Sequence, residues 1–134
     1  MVYFCADDYG ISHESNNHIE ECIKNGVLNR ISVLPNGDFK DLKERLAVLD
    51  AKISLHINLV EGRPLSNPDD IDLIATKDGY FKHSFIGLFF LSLSKKRKEL
   101  EKQLYKEIKS QIDFWKDYVK EDIPLSIDSH QHTH

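Results

Sequence analysis

The chain has 134 residues, 40% hydrophobic and 30% charged, with a formal net charge of -4. This is an ordinary globular mix at a length suited to one domain or part of one, and with no large basic block it offers nothing to a nucleic acid. The most apolar stretch, Ile86 to Leu93, is far too short to span a bilayer, and the opening residues lack the pattern of a signal peptide, so neither membrane association nor export is expected.

In chain order, Val2 to Ala6 is a short apolar run that reads as a strand. Asp7 to Ser12 then forms a loop, with Gly10 as its turn and Ser12 as the cap of a helix over His13 to Asn25. Ile19, Cys22 and Ile23 give that helix an apolar stripe. Cys5 and Cys22 have no CxxC spacing and make no disulfide framework; both are expected as small buried hydrophobes in a reducing, cytoplasmic setting. A second strand, Arg30 to Leu34, runs through a Pro35-Asn36-Gly37 turn into a helix from about Phe39 to Leu49. The third strand, Lys52 to Leu59, alternates Ile53, Leu55, Ile57 and Leu59 with Ser54, His56 and Asn58.

Glu61 to Phe85 holds Gly62, Pro64, Pro68 and Gly79 and reads as a long loop, either a carrier of substrate contacts or a plain surface excursion. Phe85 to Leu93 is a short helix or a covering segment. Ser94 to Glu121 is one long helix, opened by the solvated basic run Lys95-Lys96-Arg97-Lys98 and striped by Leu100, Leu104, Ile108, Ile112, Trp115 and Val119. Pro124 ends it, and Leu125 to Ser129 is a fourth strand. Alternating strands and helices imply parallel strands with crossover helices, as in a (β/α) barrel or an open α/β sheet.

Chemistry collects where these strands end. Asp7 and Asp8 are adjacent carboxylates at the exit of the first strand: one to hold a metal and one to handle a proton, or else two solvated acids capping the next helix. In Asp128-Ser129-His130-Gln131-His132-Thr133-His134, persistence of the strand puts Asp128, His130, His132 and His134 on one face; the competing reading is a solvated tail. His56 adds a third strand end. The carboxyl ends of parallel strands converge on one rim, so Asp8, His56 and His130 can meet around one ion and leave Asp7 free to act on metal-bound water. Glu61, just after the third strand, either touches substrate or belongs to turn chemistry.

Ala6-Asp7-Asp8-Tyr9-Gly10, Asn36-Gly37, His56-Ile57-Asn58-Leu59-Val60-Glu61-Gly62-Arg63-Pro64 and the Asp128 to His134 segment, in that order, resemble the YdjC-like (ChbG-type) carbohydrate deacetylases. The resemblance implies an α/β fold, an incomplete deformed (β/α) barrel of about four parallel strands, since family members are about twice this long. Residues 1–134 would then be a single domain, the N-terminal half of the deacetylase domain. It implies a hydrolase that removes acetyl groups from N-acetylated oligosaccharides, with a divalent metal, Mg2+ foremost and Zn2+ second. Asp8, His56 and His130 correspond to the ligands and Asp7 to the catalytic base, with His132, His134, Glu61 and Arg63 placed against the ligands or at the substrate. A half barrel would hide its open edge by self-association, so a homodimer is expected. Two other readings stand beside this one: a catalytically incomplete fragment that only binds metal or sugar, and another metal-dependent hydrolase such as a phosphoesterase, for which Arg63 and Arg30 are the near cations.

Overall fold

The structure is a computed structural model and describes residues 2–37, 41–118 and 126–132. Four strands, β1 (Cys5–Tyr9), β2 (Arg30–Val33), β3 (Lys52–Ile57) and β4 (Ile127–Ser129), form one sheet in the order β1-β2-β3-β4, every neighbouring pair parallel. Helix α1 (His13–Lys24) joins β1 to β2, α2 (Leu42–Val48) joins β2 to β3, and α3 (Phe85–Ser92) and α4 (Arg97–Tyr118) lie between β3 and β4. A doubly wound sheet reverses its strand order at a switch point, whereas here each strand lies beside its predecessor, which is the winding of a barrel. Among the described residues no helix is long and apolar enough to cross a membrane.

Strand alternation separates two faces. Ile31, Val33, Leu55 and Ile57 enter the apolar core with Ile23 of α1, Leu42 and Leu46 of α2, and Leu100 and Trp115 of α4. The intervening residues Ser32, Ser54, His56 and Asp128 form a polar row on the other face, aligned by the pairing of Ser32 with Ser54 and of His56 with Asp128. The loop after β3 is no plain excursion. It contains a 3-10 turn at Pro68–Asp70, inserts Ile71 and Ile74 into the core, and closes a bridge between Ala75 and Phe81.

Several expectations shift. The first strand starts at Cys5, not Val2: Phe4 O still accepts from the backbone of Asn29 and Arg30 (3.2 Å each), but ahead of it the chain is held by the Asn29 side chain, which accepts from Phe4 N (2.9 Å) and donates to Val2 O (3.1 Å). Cys5 is exposed and Cys22 only half-buried, because Cys5 shares the polar face with Asp7, its sulfur 3.5 Å from Asp7 Oδ1. The third strand stops at Ile57, short of Leu59. Helix α3 buries Leu88 but leaves Ile86, Phe89 and Phe90 exposed, so it covers little. The last strand ends at Ser129, and His130–His132 form a 3-10 turn in which Gln131 takes φ 52°, so the histidines do not continue along one strand face. His134, Phe39, Val119, Pro124 and Leu125 lie outside the described residues, and His132 is described only as the end of that turn.

Candidate functional site

Asp7 and Asp8 owe their placement to an irregularity. Ala6 pairs with Ile31 and Tyr9 with Val33, three residues of β1 advancing against two of β2, and Asp8 takes a left-handed φ of 61°. Such a bulge re-aims side chains at a strand end, and a non-glycine residue held at positive φ marks strain that surrounding contacts must sustain. Downstream, Tyr9 is fully buried and donates to Glu20 Oε1 (2.6 Å). Ser12 caps α1 as expected, accepting from Ser15 N.

Asp8 Oδ1 is a meeting point. His130 Nδ1 lies 2.7 Å from it and His56 Nε2 3.1 Å, and the two rings meet edge to face with centroids 5.5 Å apart. One candidate ligand atom from each of Asp8, His56 and His130 lies within 4.8 Å of the other two. The far nitrogen of each ring meets a further carboxylate. His56 Nδ1 is 2.6 Å from Asp128 Oδ1, and His130 Nε2 is 3.2 Å from Glu61 Oε2. A neutral imidazole has one N–H, so two acceptors per ring leave one nitrogen of each facing a carboxylate with a lone pair unless a second proton or a cation stands between. Asp8 is the carboxylate that both rings share, so one divalent cation beside it resolves both mismatches. The donor set fits such an ion.

Asp128 is the residue whose part sequence reasoning missed. It was visible on the histidine face, but its partner depends on register, which places it beside His56. Its second oxygen accepts from the Ser32 and Ser54 hydroxyls, and Arg30 Nη2 lies 3.8 Å away. Burial pushes the Asp128 carboxyl up, but hydrogen bonds from Ser32, His56 and Ser54 outweigh it, so the group is held below the ordinary carboxylate range.

Asp7 is exposed, and one of its oxygens lies within 4.8 Å of candidate ligand atoms on His56 and Asp128. The Cys5 thiol beside it is pushed up to about 11 by desolvation first, then by its hydrogen bond to Asp7 and that residue's charge, so it stays protonated at neutral pH and is no nucleophile. Glu61 and Arg63 both border a cavity of about 570 Å3 that also reaches Asn36, Asn58 and Tyr80. The Arg63 guanidinium lies over the Tyr80 ring at 4.3 Å and donates to its hydroxyl (3.0 Å) and to Asp78 O (3.2 Å). His13 and His83 stand elsewhere, against Arg45 and Leu73 O.

A family model described as YdjC-like protein matches residues 1–134. A carbohydrate deacetylase of Thermoanaerobacter pseudethanolicus is 33% identical over 104 residues, covering 75% of this chain and 42% of that protein. One from Danio rerio is 30% identical over 133 residues, 96% of this chain and 40% of that protein. A chitooligosaccharide deacetylase of Citrobacter koseri is 26% identical over 131 residues, 96% and 48% respectively. The chain thus spans about half the length of the curated relatives it matches, or somewhat less. A crystal structure from Enterococcus faecalis V583, of a protein described as a candidate for cellobiose-phosphate cleavage, superposes with a TM-score of 0.75 at 24% identity, covering 96% of this chain and 47% of that one; at this identity the likeness concerns the fold.

Proposed function

The chain belongs to the YdjC-like protein family, and we propose that residues 1–134 supply the metal ligands and the general base of a carbohydrate N-deacetylase, whose substrate is an N-acetylated oligosaccharide. One observation carries this reading: a carboxylate and two imidazoles from the ends of β1, β3 and β4 present ligand atoms within 4.8 Å of one another, beside an open cavity. Asp8, His56 and His130 would hold a divalent ion. Such an ion, when bound, lowers the pKa of a coordinated water and polarises an amide carbonyl. Mg2+ is what the resemblance implies, while a pair of imidazoles matches Zn2+ better.

The protein's own groups do the rest. Asp7, exposed and next to the ligand cluster, takes a proton from the attacking water; the acetamide C–N bond then breaks and the proton passes to the leaving nitrogen, giving acetate and a free amine. Asp128 accepts a hydrogen bond from the Nδ1–H of His56, which leaves the Nε2 lone pair turned toward Asp8. The sugar lies in the cavity bordered by Asn36, Asn58, Glu61, Arg63 and Tyr80. The phosphoesterase reading needs cations for a phosphate, but Arg30 is engaged by Ser126 and Asp128, and Arg63 by Tyr80 and Asp78.

The test is acetate release from diacetylchitobiose beside metal analysis of the purified chain, with and without chelator. Substituting His56→Ala is expected to remove bound ion and acetate release together. Acetate release that survives this change, or survives complete removal of metal, overturns the assignment.

A further inference from the structure

Helix α4 carries three polar side chains on its buried side. Gln103, Glu107 and Gln111 recur every four residues and are 5%, 0% and 0% exposed. Burying a carboxylate and two amides is costly unless each is fully hydrogen-bonded, and each of these is bonded to the loop that follows β3. Gln103 accepts from Leu73 N (2.8 Å) and donates to Asp72 Oδ1 (2.9 Å). Glu107 accepts from Leu65 N (3.0 Å), Ser66 N (2.9 Å) and Gln111 Nε2 (2.8 Å). Gln111 grips both backbone groups of Asn58, accepting from its N–H at 3.0 Å and donating to its carbonyl at 2.6 Å.

From Asn58 the chain of contacts continues to the site. Asn58 Oδ1 accepts from Val60 N (3.1 Å) and Glu61 N (3.0 Å), and its Nδ2 donates to Glu61 O (2.9 Å) and Asn36 Oδ1 (3.2 Å). Asn36 Nδ2 in turn donates to Glu61 O (3.2 Å) and Arg63 O (3.0 Å). Both backbone groups of Glu61 are therefore tied down, and its carboxylate reaches His130 Nε2 at 3.2 Å and Gln131 Nε2 at 3.1 Å. His130 thereby mirrors His56, with one ring nitrogen on Asp8 and the other backed by a carboxylate.

We propose that Gln111 and Asn58 are positioning residues for the metal centre: they fix Glu61, and Glu61 fixes the His130 ring so that Nδ1 stays turned to Asp8. This rests on the reading that Asp8, His56 and His130 hold a divalent ion. A neutral amide that only staples a loop would affect stability alone, whereas a link in this chain also sets metal affinity, because carboxylates that back ligand histidines typically change affinity by about 10–100-fold.

The experiment is calorimetric titration of the chain with Zn2+, beside thermal melts. Glu61→Ala, Asn58→Ala and Gln111→Leu are each expected to weaken Zn2+ binding about tenfold. Glu61→Gln keeps an acceptor for His130 and is expected to restore most of the loss. The double variant Glu61→Ala with Gln111→Leu should bind no worse than Glu61→Ala alone, since both act through one chain. Gln103→Leu, on the same helix but bonded to Leu73 and Asp72, lowers the melting temperature and leaves affinity unchanged. Binding that is lost in His56→Ala but kept in folded Asn58→Ala and Gln111→Leu overturns this proposal and leaves the metal reading standing, whereas equal losses from Gln103→Leu and Gln111→Leu reduce the ladder to a loop staple. Absence of binding by the unsubstituted chain overturns the metal reading and this proposal with it.

Discussion

Asp128 accepts from His56 on one oxygen and from Ser32 and Ser54 on the other, so three donors fix its position. A carboxylate so placed selects the tautomer of the imidazole it touches, leaving Nε2 with its lone pair toward Asp8. Asp128→Ala removes that selection and is expected to weaken divalent-ion affinity by about 10–100-fold, read by calorimetric titration. Asp128→Asn keeps an acceptor for the ring and is expected to lose less; equal affinity of the alanine variant and the unsubstituted chain would show that His56 needs no partner. Ser32→Ala, which deletes one neutral donor to a carboxylate that keeps others, should cost about 1 kcal/mol in denaturant unfolding.

The elements were legible to different degrees, for physical reasons. Four parallel strands and the convergence of Asp8, His56 and His130 follow from alternating periodicity and from the rule that parallel strands deliver their carboxyl ends to one rim. Register was not legible, and with it went the bulge at Asp7 and Asp8, the link from Asp128 to His56, and the turn that breaks the strand at His130. The buried side of α4 was also hidden. Gln103, Glu107 and Gln111 stand off the apolar stripe among charged residues, and polarity alone does not reveal that a loop brings its own backbone donors to meet them. A second polar cluster ties helices together: Arg45 of α2 donates to Glu20 of α1 (2.7 Å), Asn17 (2.7 Å) and the Tyr9 hydroxyl (3.2 Å). Arg45→Ala leaves the half-buried Glu20 and the buried Tyr9 hydroxyl without their cation and is expected to cost about 2 kcal/mol in chemical unfolding. A cost near zero would mean that water replaces the guanidinium without penalty.

On the scale of the whole molecule the sheet divides the labour. Stability is concentrated on the face that packs against the helices, where Leu42, Leu55, Leu100 and Trp115 are buried, while the candidate chemistry occupies the opposite row and the rim it leads to. Because one strand presents alternate residues to the two faces, the two jobs can be perturbed separately at positions remote from each other. Leu42 is 2% exposed in the first turn of α2 and has no part in the polar row. Leu42→Ala should therefore destabilise the chain by about 2–5 kcal/mol through lost burial and a residual cavity, a fall in melting temperature on the order of 10 °C. Its ion affinity, measured well below the transition, should equal that of the unsubstituted chain. Ser54→Ala is expected to do the reverse, costing only about 1 kcal/mol, as Ser32→Ala does, while weakening ion binding through Asp128 and His56. If Leu42→Ala lowers affinity in the still-folded state, the two faces are mechanically coupled, and the rim depends on packing across the sheet rather than on its own hydrogen bonds.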